Sequence, residues 1–205
     1  VEDLTARFGD SFLPITLDVT HREEALAAVQ AAAEHFGHLD VVVNNAGYGH
    51  FGMVDELSET ELRAQLETNL FGTVWVTQAA LPIMRRQGSG HILQVTSEGG
   101  VTAFPGIGAY HASKWALEGP SQALAPEVAG FGIKVTLIEP GGYSTDWGGS
   151  SAKHATPLPA YERVREQAAN RPSRRGTPGD PVATRDAVLT LVDSDNPPLR
   201  VFFGE

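Results

Sequence analysis

The feature that most constrains the fold is an alternation of short β-branched runs with longer stretches of helical periodicity. The apolar runs lie at 12–17, 40–43, 91–96 and 133–139. Strands that alternate with helices are typical of βα units, which build a parallel sheet. The sequence therefore predicts an α/β domain with a parallel sheet at its centre.

Helix-start and helix-stop residues delimit the stretches between these runs. Thr20 with Glu23, and Ser58 with Glu61, have the spacing of a capping box, and Gly37 follows the first of these stretches. The predicted helices cover 20–36, 58–86, 107–129, 160–169 and 181–192, and a final strand covers 200–203.

Two prolines, Pro120 and Pro126, lie inside the predicted helix 107–129. Each removes a backbone donor, at a cost of about 3 kcal/mol in a regular helix interior. We therefore expect them to disturb the second half of that helix.

Composition excludes several classes of protein. The chain has 205 residues, which suits one domain with a substantial core. Its net charge of −10 disfavours nucleic acid and anionic membranes as partners, and the absence of cysteine removes disulfides and thiolate metal sites. No apolar run reaches the roughly 18 residues of a membrane span, and no secretory signal opens the sequence. We expect a cytoplasmic protein without a metal.

Three polar residues form the first chemical constellation. Tyr110 and Lys114 are four residues apart in a predicted helix, a spacing that places them on one face about 6 Å apart along the axis. A lysine ammonium there favours the ionised phenol, which makes an acid/base. Ser97 precedes Tyr110 by 13 residues and follows a predicted strand. Its hydroxyl would meet the same substrate oxygen if both side chains project over the strand ends.

A run of small residues, Asn44-Asn45-Ala46-Gly47, follows the strand at 40–43 directly. Small residues at the carboxyl end of a parallel strand let a ligand approach the backbone. Taken alone, the run favours a plain strand-to-loop turn over a ligand site.

Together these residues resemble the short-chain dehydrogenase/reductase family over essentially the whole chain. The features with family spacing are Asn44 to Gly47, Asn69 in the run 69–72, Ser97 with Tyr110 and Lys114, and Pro140-Gly141 followed by Thr145. The resemblance implies a single, doubly wound, Rossmann-like domain. It also implies an NAD(P)-dependent oxidoreductase that interconverts a secondary alcohol and a ketone or aldehyde by hydride transfer.

The resemblance also implies site roles. Tyr110 is the general acid/base, and Ser97 binds the substrate oxygen. Lys114 lowers the pKa of Tyr110 and holds the nicotinamide ribose, while Asn69 supports a water-linked proton path. The resemblance places Asp18 and Val19 at the adenine, and Pro140, Gly141 and Thr145 at the nicotinamide carboxamide. The other implied cofactor contacts are Asn45, Ala46, Gly47, Tyr110 and Lys114.

The stretch 143–178, rich in Gly, Pro, Ser and Arg, predicts a mobile loop that covers the substrate in this family. Within it, Tyr143 and Trp147 are candidates for substrate contact or for core packing. We expect Trp75 and Trp115 in the core.

Three other groups have open roles. His50, Phe51 and Met53 are candidates for substrate contact. For His35, His38 and His111, which lack metal-ligand spacing, we expect solvated or capping roles. The basic cluster of Arg163, Arg165, Arg171, Arg174 and Arg175 suggests a solvated loop face, with an anionic substrate or a cofactor phosphate as the alternative.

The family's Gly-x-x-x-Gly-x-Gly turn, which carries the pyrophosphate, is not in this sequence. In the family's sheet order 3-2-1-4-5-6-7, two further strands separate those at 12–17 and 40–43. We therefore expect roughly 40 native residues before Val1, the size of a βαβ unit. NAD versus NADP stays open, because the charge that discriminates them belongs to the same stretch.

Two alternatives of other classes remain: a non-catalytic, NAD(P)-binding regulatory protein of the same fold, and an isomerase or lyase of the extended relatives. The intact set of Asn69, Ser97, Tyr110 and Lys114 argues against the first, and the short region after residue 140 argues against the second. We expect a small carbonyl or alcohol substrate, and a homodimer or homotetramer formed by the helices at 58–86 and 107–129.

Overall fold

A sheet of four parallel strands organises this computed structural model, which describes residues 2–169 and 178–204. The strands are β1 Val41–Asn44, β2 His50–Phe51, β3 Gly90–Val95, β4 Ile133–Pro140, β5 Lys153–His154 and β6 Arg200–Phe203. The helices are α1 Glu2–Phe8, α2 Arg22–Phe36, α3 Glu59–Leu66, α4 Thr73–Gln87, α5 Gly108–Ala129, α6 Glu162–Ala169 and α7 Thr184–Asp193. The sheet has the order β1-β3-β4-β6, and β2 pairs separately with β5.

Successive side chains of the central strands enter two different apolar layers, as the pleat requires. Ile92 of β3 packs with Met84 of α4 and with apolar residues of α2 and α5. Its neighbour Leu93 packs with Ile138 of β4 and Leu191 of α7. Helices α2, α4 and α5 therefore cover one face of the sheet and α7 covers the other, which confirms the Rossmann-like α/β fold as a single domain.

The register places three strand ends side by side. Val42 of β1 pairs with Ile92 of β3, which pairs with Val135 of β4. Because all three strands are parallel, the loops that follow them leave from the same edge of the sheet, where ligands bind in open α/β sheets.

The strand predicted at 12–17 is not present, since these residues form no ladder. Phe12 has extended backbone angles, with φ −137° and ψ 115°. An extended segment becomes a strand only when a neighbour takes up its backbone hydrogen bonds, and no described residue pairs with 12–17.

The capping box predicted from Thr20 and Glu23 is also wrong, and α2 begins at Arg22 instead. Asp18 accepts hydrogen bonds from the backbone N of Thr20 at 2.9 Å and from its hydroxyl at 2.8 Å. The hydroxyl is therefore engaged by a residue before the helix. Gly37 ends α2 in the left-handed region, at φ 80°, as predicted.

The helix predicted at 58–86 is a continuous helical run with a change of geometry in its middle. The capping box is present, because the Ser58 hydroxyl accepts from the backbone N of Glu61 at 3.2 Å. Between α3 and α4, residues Glu67–Gly72 form a π-helical turn, a feature that often marks a functional site. A Cβ on Gly72 would lie 2.7 Å from Val19, so the close approach of residue 19 requires glycine there.

Helix α5 continues through Pro120 and Pro126, both of which are exposed. The carbonyl groups that lose a partner can then be hydrated, so the disturbance expected from these prolines does not end the helix. The helices predicted at 160–169 and 181–192 are found as α6 and α7, the latter beginning at Thr184. None of the described helices is long and apolar enough to cross a membrane.

Candidate active site

A cavity of about 580 Å³ lies at the carboxyl ends of the central strands. The predicted site residues that line it are Asn45, Gly47, Ser97, Tyr110, Lys114, Pro140, Gly141, Tyr143, Thr145 and Trp147. Those that do not line it are Asp18, Val19, Ala46 and Asn69. Residues from four separated parts of the sequence therefore meet around one cavity.

Ser97 follows β3 and begins a short 3-10 turn, Glu98–Gly100. Its hydroxyl oxygen accepts from the backbone N of Gly99 at 3.0 Å and lies 3.4 Å from the carbonyl oxygen of Pro140. Its interaction with the phenol of Tyr110 lowers the pKa of that phenol. The turn thus fixes the serine side chain at the cavity wall.

Tyr110 lies in the first turn of α5 and is buried. Burial raises the pKa of its phenol, and the carboxylate of Glu98 raises it further, while the hydrogen bond from Ser97 opposes both effects. The net direction of the pKa shift is upward, opposite to the lowering expected from Lys114. The reason is that desolvation of a phenolate outweighs the favourable interactions, so at neutral pH the phenol keeps its proton.

Lys114 lies one helical turn after Tyr110 and is 5% exposed. Its Nζ donates to the carbonyl oxygen of Val95 at 2.8 Å and lies 5.9 Å from the centroid of the Tyr110 ring. Burial lowers its pKa to about 8, and the carboxylate of Glu118 acts in the opposite direction. The ammonium is therefore held at the cavity floor by a backbone carbonyl.

Asn69 lies in the π-helical turn and is fully buried. Its Oδ1 accepts from the backbone N of Tyr48 at 3.1 Å, and its Nδ2 donates to the Tyr48 carbonyl at 3.0 Å and to the Ser113 hydroxyl at 3.1 Å. A Cβ on Gly47 would lie 3.0 Å from this Oδ1. The amide of Asn69 therefore fastens the loop after β1 to α5.

Aromatic side chains form the outer wall. Trp147 meets the ring of Tyr110 edge-on, with 5.0 Å between centroids, and its ring centroid lies 5.2 Å from that of Phe51. Tyr143 packs against Gly179, where a Cβ would lie 2.8 Å from the tyrosine ring. Tyr143 and Trp147, the candidates for either substrate contact or core packing, thus line the cavity and also contact other residues of the protein.

Sequence reasoning missed a large part of the lining. The missed residues are Val95, Thr96, Glu98, Gly99, Phe104, Ile107, His111, Gly142, Asp146, Gly148, Ser151, Pro181, Thr184 and Phe203. Glu98 follows β3 and Phe203 ends β6, so a search for residues at the carboxyl ends of strands could have identified both. Phe104 and Ile107 reach the cavity through the path of a loop, for which the sequence gives no periodic pattern.

His111 has neither the solvated nor the helix-capping role expected for it, because it is buried within α5 and bonds the backbone of the preceding loop. Its Nδ1 lies 2.8 Å from the carbonyl oxygen of Gly99, and its Nε2 accepts from the backbone N of Phe104 at 2.8 Å. The imidazole therefore ties the loop after Ser97 to α5.

Several expectations about aromatic and neighbouring residues are corrected. Trp115 is 52% exposed, so its assignment to the core is wrong, because it lies on the solvent side of α5. Trp75 is half-buried and stacks on Phe71. The residues offered as candidates for substrate contact, His50, Phe51 and Met53, do not line the cavity.

The basic cluster is only partly described. Arg165 donates to the carbonyl oxygen of Leu158 at 2.6 Å and pairs with the carboxylate of Glu56, while Arg163 is exposed. Arg171, Arg174 and Arg175 lie outside the described residues. Within the described ranges, no group of three His, Asp or Glu side chains has the arrangement of a metal site.

Comparison with known proteins gives a consistent result. The family model described as short chain dehydrogenase matches residues 1–156. An oxidoreductase of Botryotinia fuckeliana, BOA17, is 43% identical over 205 residues, which is 98% of this chain and 75% of that protein.

Solved structures resemble the chain over nearly its whole length. A short-chain dehydrogenase from Streptomyces avermitilis superposes with a TM-score of 0.87 at 38% identity, covering 99% of this chain and 75% of the other. An alcohol dehydrogenase from the archaeon Thermococcus sibiricus, solved in complex with 5-hydroxy-NADP, has a TM-score of 0.79 at 27% identity, covering 99% and 78%.

Proposed function

This chain belongs to the short-chain dehydrogenase family, and we propose on that premise that it is an NAD(P)-dependent oxidoreductase that interconverts a secondary alcohol and a ketone or aldehyde. The observation that carries the proposal is the convergence of three groups at one cavity. Ser97 and Tyr110 both line this cavity, and the buried ammonium of Lys114 lies 5.9 Å from the centroid of the Tyr110 ring.

In this proposal Tyr110 is the general acid/base and Ser97 holds the substrate oxygen. Reduction of a carbonyl leaves an alkoxide, so the site must deliver a proton to that oxygen while a second donor stabilises its charge. The raised pKa of Tyr110 supports this direction, because a protonated phenol is ready to donate at neutral pH. Oxidation of an alcohol needs the phenolate and is therefore favoured at higher pH.

The residues around the cavity fit the nicotinamide half of a dinucleotide. A Cβ on Gly141 would meet nothing closer than the Phe203 carbonyl at 3.6 Å, so the backbone there is accessible to a flat ring. We assign Pro140, Gly141 and Thr145 to the nicotinamide end and Lys114 to the ribose hydroxyls. When bound, the cofactor supplies or accepts the hydride.

We also assign Asn45, Ala46 and Gly47, on the loop after β1, to cofactor binding. Asp18 and Val19 are assigned to the adenine of the cofactor. Asp18 is exposed, and its pKa is lowered by its hydrogen bonds with Thr20, so it offers an ionised acceptor at neutral pH. Both NAD and NADP stay open in this proposal.

Asn69 keeps a supporting role. Its bonds to the Tyr48 backbone and to Ser113 hold the loop after β1 beside α5, and this contact supports a role in positioning. A water-linked proton path through residue 69 would use its backbone carbonyl, since its side-chain amide is engaged; that carbonyl lies 3.3 Å from the Thr73 hydroxyl.

The lining favours an uncharged or cationic substrate with apolar bulk. Phe104, Ile107 and Trp147 supply apolar surface, and apart from Lys114 the charged residues in the described lining are Glu98 and Asp146. The pKa of Asp146 is lowered by hydrogen bonds from Ser150, so it is ionised at neutral pH and repels anions. We assign Tyr143 and Trp147 to substrate binding within the covering loop 143–178.

We also propose that the chain forms a homodimer or homotetramer. Leu62 of α3, Phe71 of the π-helical turn and Trp115 of α5 are 37%, 38% and 52% exposed. Large apolar side chains on helix surfaces are typical of protein interfaces. Light scattering of the purified protein measures the assembly directly.

Two measurements test the function. Fluorescence titration with NADH and with NADPH should show saturable binding of one of them, and turnover of a panel of ketones, aldehydes and secondary alcohols should follow. Tyr110→Phe should keep cofactor affinity within twofold and lose at least about a thousandfold in turnover, within the range of general acid–base catalysis. Tyr161→Phe is the matched control, because that phenol hydrogen-bonds Asp55 outside the cavity.

Retained turnover in Tyr110→Phe would refute the assigned mechanism. Saturable cofactor binding without turnover of any member of the panel would favour the non-catalytic regulator. Binding of neither cofactor would refute the oxidoreductase proposal for this polypeptide.

A further inference from the structure

Polar side chains continue along α5 behind the proposed catalytic pair. One face of the helix carries polar residues at intervals of four positions, namely Tyr110, Lys114, Glu118 and Gln122. Glu118 is 7% exposed. A Cβ on Gly100 would lie 3.2 Å from its Oε1. A carboxylate thus enters the interior one turn after the buried ammonium.

A second carboxylate, that of Glu139, enters the same region from β4. Glu139 is fully buried, and neither of its carboxyl oxygens has a hydrogen-bond partner among the described residues. The same holds for Oε1 of Glu118. Buried polar atoms rarely remain unsatisfied, so the ionised form of both residues does not account for the arrangement.

One guanidinium serves both carboxyl groups. Nε of Arg200 lies 3.1 Å from Oε2 of Glu118 and 3.3 Å from Oε1 of Glu139. Its Nη2 also donates to the side-chain oxygen of Gln122 at 3.0 Å. Arg200 is therefore shared between two buried carboxyl groups, and Oε2 of Glu139 and Oε1 of Glu118 still have no hydrogen-bond partner in the described part of the chain.

A proton held between the two glutamates accounts for these unpaired oxygens. Burial raises the pKa of Glu139 to about 7, and the charge and hydrogen bond of Glu118 act in the same direction, while Arg200 opposes them. A protonated carboxyl supplies the donor that the orphaned oxygens lack.

We propose that Glu118 and Glu139 share a proton, and that the single negative charge of the pair stabilises the ammonium of Lys114. Glu118 is then a positioning residue of the reaction, a role that rests on the proposed function. Charged and titratable groups around this region are Tyr110, Lys114 and Glu118 of α5, Glu98 after β3, Glu139 of β4 and Arg200 of β6.

The charge on Lys114 can be measured without any turnover. The chain has only three lysines, Lys114, Lys134 and Lys153, so protein labelled with ¹³Cε-lysine gives three resonances, which Lys134→Arg and Lys153→Arg assign. In the wild type we expect the Lys114 signal to titrate near pH 8, since the pKa of its ammonium is lowered to about 8.

Glu118→Gln removes the charge and keeps the shape. We expect Lys114 to titrate about one pH unit lower in this variant, the size of shift that a nearby opposite charge produces. Glu127→Gln, an exposed glutamate on the same helix, is the control and should leave the Lys114 titration unchanged. An unchanged Lys114 titration in Glu118→Gln would overturn the proposal.

A second variant tests the shared proton and covers the case in which Glu118→Gln does not fold. Because the pKa of Glu139 is raised from 4.5 to about 7 in the folded protein, the folded state holds a proton that the unfolded chain releases. Stability should therefore fall as pH rises from about 4.5 to about 7. Glu139→Gln should be free of this loss, and an equal loss in wild type and variant would overturn the shared proton.

Neither readout depends on catalysis. The proposed function fails if Tyr110→Phe retains turnover, whatever Lys114 does. The charge pair fails if the lysine titration does not respond to residue 118, whatever the turnover is.

Discussion

The indole of Trp147 meets the ring of Tyr110 edge-on, with 5.0 Å between the ring centroids. Trp147 lies in a short 3-10 turn after β4, whereas Tyr110 lies at the start of α5. The tryptophan therefore lies directly beside the proposed acid/base and lines the same cavity. We expect a bulky substrate that reaches the phenol to contact this ring.

Replacement of Trp147 by Ala should change substrate binding more than cofactor binding. An aromatic contact contributes about 0.5 to 1.5 kcal/mol beyond area burial, so we expect a roughly 2- to 10-fold loss in kcat/KM for aromatic ketones. Steady-state kinetics and NAD(P)H titration measure the two effects. Phe131→Ala, an exposed aromatic residue that does not line the cavity, is the control, and an equal loss there would contradict the assignment.

Gly49→Ala should reproduce the Trp147 effect without altering a side chain of the cavity. A Cβ at residue 49 would lie 2.6 Å from Cζ2 of Trp147, which forces the indole to move. We expect kcat/KM to fall for the same substrates while cofactor affinity stays within twofold. Gly119→Ala, where a Cβ meets nothing within 4 Å and which does not line the cavity, should have no such effect; if it does, displacement of the indole is not the cause.

The sequence predicted those parts of the fold and site that depend on local spacing. The strand ends after β1, β3 and β4 bring Gly47, Ser97 and Gly141 to one edge of the sheet, as parallel strands require. Tyr110 and Lys114 lie together because they are one helical turn apart. Such relations need only the chain order and the period of each element.

Properties that depend on neighbours distant in sequence were not predictable in the same way. The segment 12–17 has a strand pattern but no ladder partner among the described residues. The pKa of Tyr110 is raised because burial and Glu98 outweigh the favourable groups. Trp115 has a core-type side chain on the outer face of its helix. In each case the property depends on residues that are close in space but distant in sequence. Sequence spacing alone does not identify those neighbours.

Pro120→Ala should stabilise the protein. Pro120 lies inside α5 and is exposed, so alanine restores one backbone hydrogen bond without meeting the core. We expect a gain of about 1 to 3 kcal/mol in the free energy of unfolding, up to the cost of proline in a helix interior. Denaturant unfolding measures it. Pro159→Ala is the control, because proline in a first helical turn interrupts no bond, and a gain of equal size there would argue against the helix explanation.

The buried imidazole of His91 should reduce the stability of the protein in acid. His91 is 4% exposed in β3, and its Nε2 lies 3.0 Å from the Thr136 hydroxyl. Burial lowers the pKa of His91 from 6.5 to about 4, and the nearby charge of Lys134 acts in the same direction. The folded state therefore holds a neutral imidazole, while the unfolded chain takes up a proton below pH 6.5.

The sign follows from these values. The contribution of His91 to stability is complete above pH 6.5 and is lost as pH falls towards 4, by at most about 3 kcal/mol. The Glu139 contribution has the opposite slope in an overlapping range, so a wild-type profile alone cannot separate them. His91→Gln keeps a polar partner for Thr136 and should flatten the acid loss in thermal unfolding between pH 6.5 and 4. His38→Gln, whose side chain is 61% exposed, should retain the wild-type slope, and flattening by both variants to the same degree would refute the role of His91.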